Sequence, residues 1–117
     1  MTVLLTGGTG FVGYNLVPAL QAQGHSVRCL IRRTSNTRFL EEIGGVEYVV
    51  GDVTDPASLG PAVTDVDAIV HLAGAVTAVN EAGYFAVNTE GTRNLVQAVR
   101  DAGIQLKRFV HMSSLAA

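Results

Sequence analysis

The chain has 117 residues, 48% hydrophobic and 15% charged, with a formal net charge of -2; that length suits one domain with a real core, and the charge argues against a nucleic-acid module, which needs a basic patch. The lone Cys29 excludes an internal disulfide or a cysteine-built metal site, and the widely spaced His25, His71 and His111 make no metal-ligand pattern. No run reaches the roughly 18 apolar residues of a membrane helix and the N-terminus leads straight into a strand, so a cytoplasmic, metal-free protein is expected.

Val3-Leu4-Leu5 predicts a first strand over about Thr2 to Thr6. The stretch Thr6-Gly7-Gly8-Thr9-Gly10-Phe11-Val12-Gly13 follows, and helical spacing then begins with Phe11, Leu16, Val17 and Leu20. Strand, glycine turn and helix start in that order are what a phosphate-binding loop requires. Gly7 lets the chain leave the strand in a conformation that a Cβ resists. Gly10 lets backbone N–H groups approach a pyrophosphate, and Gly13 lets the helix pack closely on the sheet. No Gly-Lys-Ser/Thr follows, which excludes a Walker-type loop.

This stretch resembles the opening of the extended short-chain dehydrogenase/reductase family, the NAD(P)-dependent epimerases, dehydratases and reductases, with its G-x-x-G-x-x-G spacing. The resemblance implies a Rossmann-type doubly wound parallel α/β sheet with strand order 3-2-1-4-5. It also implies cofactor contacts from Gly7, Thr9, Gly10, Phe11, Val12 and Gly13.

Helix one is predicted over about Phe11 to Gln23, with a slight kink at Pro18 and Gly24 as its C-terminal cap. His25 reads as turn chemistry. Strand two, Ser26 to Ile31, carries Cys29 as a small buried apolar residue. An NAD-preferring site needs an acidic residue at the end of this strand, for the ribose 2′-hydroxyl. The chain has Ile31-Arg32-Arg33-Thr34-Ser35-Asn36 instead. An arginine fork suits a 2′-phosphate that a carboxylate would repel. Arg32 also matches the position where NADP-using family members carry their phosphate-binding arginine. NADP is therefore favoured, with NAD possible; the competing reading of Arg32 and Arg33 is a solvated loop pair.

A short helix from Arg38 to Ile43 precedes Gly44-Gly45 and strand three, Val46 to Val50. In Gly51-Asp52-Val53-Thr54-Asp55-Pro56, the resemblance assigns Asp52 and Val53 to the adenine, the carboxylate accepting from its exocyclic amine. Asp55 is expected to cap a helix over Pro56 to Val63. Strand four, Asp67 to Leu72, runs into Ala73-Gly74-Ala75. His71-Leu72-Ala73-Gly74 resembles the family's segment after strand four, so Leu72, Ala73 and Gly74 are expected beside the nicotinamide ribose. His71 reads as a satisfied strand residue rather than a catalyst.

A long helix is expected from Tyr84 to Ala102, closed by Gly103. Within it, Asn88-Thr89-Glu90-Gly91-Thr92 resembles the family's Asn-x-x-Gly-Thr segment, which gives Asn88 a proton-relay water; a helix-surface asparagine is the alternative. A Gly inside a helix costs about 1 kcal/mol against Ala, so Gly91 implies a close contact. Strand five, Arg108 to Met112, leads to Ser113-Ser114, and by resemblance Ser114 is the catalytic hydroxyl on the reacting carbonyl or alcohol. The family's Tyr-x-x-x-Lys pair is absent: Lys107 is the only lysine, and Pro18, Asp52 and Asn88 stand four residues after the three tyrosines.

The expectation is thus one incomplete dinucleotide-binding domain over residues 1–117, the N-terminal part of a longer enzyme and inactive alone. Pairing of subunits through helix 84–102 is a further expectation from the family. The alternative function is a non-catalytic NADP-sensing module of the atypical branch.

Overall fold

The computed structural model describes residues 1–7, 11–33, 35, 37–72 and 90–111. Five parallel strands form one sheet: β1 (Thr2–Thr6), β2 (Ser26–Ile31), β3 (Val46–Val50), β4 (Ala68–His71) and β5 (Arg108–His111). Their order is β3-β2-β1-β4-β5, as the resemblance implies. Helices α1 (Phe11–Ala22), α2 (Arg38–Ile43), α3 (Gly60–Val63) and α4 (Gly91–Ala102) occupy the connections.

Successive strand residues point to opposite faces, and here each face has its own core. Leu5, Val27 and Cys29 are buried with Val17 of α1 and Leu40 of α2. Leu4, Leu30 and Ile69 are buried on the other face with Val63 of α3 and Leu95 of α4. Helices on both faces explain why the central strands read as continuous apolar runs. β3 differs: Glu47, Tyr48 and Val50 are exposed on this edge strand.

The end of α1 is fixed by glycine chemistry. Gly24 has φ +84° and donates to Gln21 (2.9 Å), while His25 donates to Leu20 (3.1 Å). This is a Schellman pair, one residue earlier than the expected end. α2 closes similarly, with Gly44 at φ +77° donating to Leu40, and the Gln21 side chain holds the Gly44 carbonyl at 2.8 Å.

The expected helix over 56–63 is broken into a 3₁₀ turn, Pro56–Ser58, and the single turn of α3. Pro61 supplies the reason. It has no N–H for the carbonyl four residues back, so the bond that would carry the 56–58 turn on into α3 is missing. The expected Asp55 cap is not formed by its side chain. The tight turn directs the Ser58 N–H to the Asp55 carbonyl at 3.1 Å, which uses the donor a capping carboxylate would have taken.

Asp67 precedes β4 rather than opening it. Its carboxylate accepts the Thr2 N–H at 2.8 Å, and its carbonyl accepts from Lys107 at 2.7 Å, tying the start of the central strands together. Of the helix expected over 84–102, the part from Gly91 is described, and Gly103 closes it at φ +67°. Among the described residues no helix is long and apolar enough to cross a membrane.

Candidate functional site

The site is built on the strand ends. β1 is central, and Gly7 directly after it has φ +78°, the left-handed backbone that a Cβ resists. α1 begins at Phe11, with Gly13 buried in its first turn as close helix–sheet packing requires. The helix start offers N–H donors with no partner inside the helix, and a partial positive charge. Thr9 and Gly10 lie outside the described residues; Phe11 and Val12 are placed by their backbone as the first residues of α1.

At the ends of β2 and β3, Arg32, Arg33, Val50, Gly51, Asp52, Asp55 and Ser58 surround a cleft of about 320 Å³. Three residues expected in the site thus come together: Arg32, Arg33 and Asp52. Among the described residues, neither guanidinium is held in an ion pair, and both are exposed. The backbone beneath them is fixed. The Arg32 N–H donates to Ser35 Oγ at 2.9 Å, and the Ser35 N–H returns to the Arg32 carbonyl at 2.9 Å.

Asp52 is oriented by its neighbours. Its Oδ1 accepts the Thr54 N–H at 2.9 Å and the Thr54 hydroxyl at 2.8 Å, a local turn that polar side chains form readily. Ser58 Oγ accepts the Asp52 N–H at 3.0 Å and donates to the Asp55 carbonyl at 2.8 Å. Gly51 has no room for a side chain: a Cβ there would stand 2.9 Å from Leu30 Cδ1 and 3.0 Å from Ser58 Oγ.

Val53 does not line the cleft. It is buried, and α4 grips it from below. A Cβ on Gly91 would come within 2.7 Å of Val53 Cγ2, and Asn94 Nδ2 donates to the Val53 carbonyl at 2.9 Å. The close contact expected at Gly91 is therefore made against the loop that carries Asp52.

Between β1 and β4, Thr6 Oγ1 and His71 Nδ1 share a 2.6 Å hydrogen bond. The Leu72 N–H donates to the Thr6 carbonyl at 3.0 Å. Both Thr6 and His71 are buried, so His71 is a strand residue with a partner, as expected. Ala73, Gly74, Asn88 and Ser114 lie outside the described residues. Ser58 and Asn94 escaped the sequence reading because their partners are backbone groups of a loop, and no residue spacing announces such bonds. The arrangement can hold a phosphate-rich, nucleotide-like ligand: helix donors at one strand end, two exposed guanidiniums and a fixed carboxylate at the next.

Known proteins are similar to this chain over nearly its whole length. "Sterol demethylase protein B" of Methylococcus capsulatus is 42% identical, covering 100% of this chain and 35% of that protein. "Photosystem II assembly factor Ycf39" of Synechocystis is 39% identical with the same coverage of each. Among solved structures, UDP-glucose-4-epimerase from Stenotrophomonas maltophila, with bound NAD, superposes with TM-score 0.83 at 32% identity, covering 99% of this chain and 38% of that one. A short-chain dehydrogenase/reductase superfamily protein from Agrobacterium tumefaciens, also with NAD, gives TM-score 0.75 at 38% identity, covering 97% and 33%. The chain spans about a third of the length of the curated relatives it matches. With the family model matching residues 3–117 and the Rossmann sheet in place, the chain belongs to the NAD dependent epimerase/dehydratase family.

Proposed function

We propose that this chain binds NADP(H), and NAD less tightly, as the dinucleotide-binding part of an oxidoreductase, epimerase or dehydratase acting on an alcohol or carbonyl substrate, with a nucleotide sugar among the candidates. The observation that carries the cofactor preference is the pair of exposed guanidiniums, Arg32 and Arg33, on the cleft beside Asp52, held in no ion pair among the described residues. When bound, the nicotinamide supplies a carbon that accepts or donates hydride.

The chain's own residues do the rest. Gly7 and the start of α1 seat the pyrophosphate on backbone N–H groups. Arg32 and Arg33 bind the 2′-phosphate. Asp52, its Oδ1 already occupied by Thr54, offers Oδ2 to the adenine amine. Beyond Leu72, the small residues Ala73 and Gly74 would let the backbone come close to the nicotinamide ribose. Ser114 Oγ hydrogen-bonds the reacting oxygen, and Asn88 orients a relay water. A Tyr-x-x-x-Lys pair would supply the proton, and without it this chain turns over no substrate. A cytoplasmic setting and subunit pairing through 84–102 belong to the same proposal.

Calorimetric titration with NADPH and NADH, on the wild type and on Arg32→Ala, tests it. NADPH is expected to bind more tightly and to lose about 1–3 kcal/mol in the variant, the range for a charge-assisted contact. Equal binding of both dinucleotides, unchanged by the substitution, would reduce Arg32 to a solvated loop residue. A second reading, an NADP-sensing module without catalysis, is favoured by the relative from Synechocystis, which is named for assembly rather than for a reaction.

A further inference from the structure

We propose that Thr6 and His71 are a positioning pair that locks the end of β1 against the end of β4, and so aligns the pyrophosphate-binding turn with the nicotinamide passage; this rests on the dinucleotide reading above. The two residues face each other in the parallel register of β1 and β4. They are 1% and 0% exposed, the two fully buried polar residues among the described ones. Their bond is short, 2.6 Å. Thr6 Oγ1 also accepts the Leu72 N–H at 3.2 Å, so a single hydroxyl holds both the last residue of β4 and the first residue after it. The imidazole also neighbours the ring of Phe109 of β5, with ring centres 6.5 Å apart and planes at 56°.

Burial alone does not ask for this chemistry. A valine and a leucine would fill the same space without the cost of removing a hydroxyl and an imidazole from water. What the polar pair adds is direction, because a hydrogen bond fixes register where apolar contact lets neighbours slide. Its place in the chain makes that direction useful. Thr6 is followed at once by Gly7, with its left-handed backbone, and His71 by Leu72 and the small residues beyond. A shift between these strand ends would misalign pyrophosphate and nicotinamide. The adenosine end, held by Arg32 and Asp52 at β2 and β3, would be untouched.

That asymmetry gives the test. Calorimetry with two probes, NADPH and adenosine 2′-monophosphate, which lacks the 5′-phosphate, is run on the wild type, Thr6→Val and Thr6→Ser, with circular dichroism confirming the fold. Thr6→Val is expected to weaken NADPH about tenfold and to leave the monophosphate unchanged, while Thr6→Ser keeps both near wild type. Unchanged NADPH binding in Thr6→Val, or equal weakening of both probes, overturns the pair's positioning role. Should Thr6→Val not fold, His71→Leu and His71→Asn replace it. Loss of NADPH alone in the leucine variant, with recovery in the asparagine variant, supports the pair; identical behaviour of the two overturns it. A wild type that binds neither probe overturns the dinucleotide reading itself, and this proposal with it.

Discussion

Arg28 and Cys29 sit side by side on β2 and answer burial in opposite ways. Arg28 is half-buried, and its Nη1 donates to the carbonyls of Ala62 at 2.9 Å and Thr64 at 2.7 Å. Its Nε stands 3.2 Å from Glu47 on the neighbouring strand. The charge is tolerated because acceptors at the end of α3 replace water; the Glu47 carboxylate, largely exposed, adds little. Among the described residues Cys29 has no such partner to stabilise a charge, and burial pushes its thiol from 9.0 up to about 12. The unfolded chain therefore releases this proton near pH 9, while the folded chain retains it to about 12. Between those values the unfolded state binds fewer protons, so stability falls as pH rises, by about 1.4 kcal/mol per pH unit for one such group. Urea denaturation at several pH values above 9 is expected to show this decline in the wild type and its loss in Cys29→Val. The comparison is needed because burial, and then the neighbouring Glu41 charge, also raises the Tyr48 phenol. Equal slopes in the two proteins would refute the assignment. The sequence marked Cys29 as buried and apolar from its place in an apolar run. It could not mark Asp55 as an idle cap, because that depended on where the Ser58 N–H turned.

Among the elements, α4 and the loop after β3 depend on each other most directly. Gly91 gives up helix stability, about 1 kcal/mol relative to alanine, and in return lets Val53 approach. Gly91→Ala sets that propensity gain against an overpacked contact, which costs about 1–3 kcal/mol. The contact is expected to win, because Val53 is β-branched and stiff and its Cβ as well as its Cγ2 lies in the way, at 3.2 and 2.7 Å. Thermal unfolding should show a lower midpoint for Gly91→Ala; a raised midpoint would mean that Val53 yields without cost. The glycine inside the helix was a visible anomaly in the sequence, and its partner was not. The split of the helix expected over 56–63 traces to Pro61, whereas the expectation of a helix there rested on Asp55 and Pro56 at its start. The helix ends marked by Gly24, Gly44 and Gly103 were legible because positive φ is a local demand that glycine meets at once.

At the scale of the whole molecule, protection should follow the sheet order. β1 lies between β2 and β4, with a core on each face, whereas β3 is an edge strand with exposed side chains. Amide hydrogen exchange is expected to be slowest at Leu4, Leu5, Cys29 and Ile69 and faster along β3, because only the former strands open with the whole fold. Uniform exchange across all five strands would contradict this.

The sequence by itself determined the strand and helix series, the glycine turn and the family. Those rest on short-range patterns: apolar runs, glycines at strand and helix ends, and fixed motif spacings. Only the tertiary structure decided that Arg32, Arg33 and Asp52 share one cleft, that Gly91 and Asn94 clamp the loop carrying Asp52, and that Thr6 faces His71 across two strands. Each of those contacts joins residues distant in the chain, and their meeting is set by the parallel register of the sheet and the packing of helices on it, which no local stretch of sequence encodes.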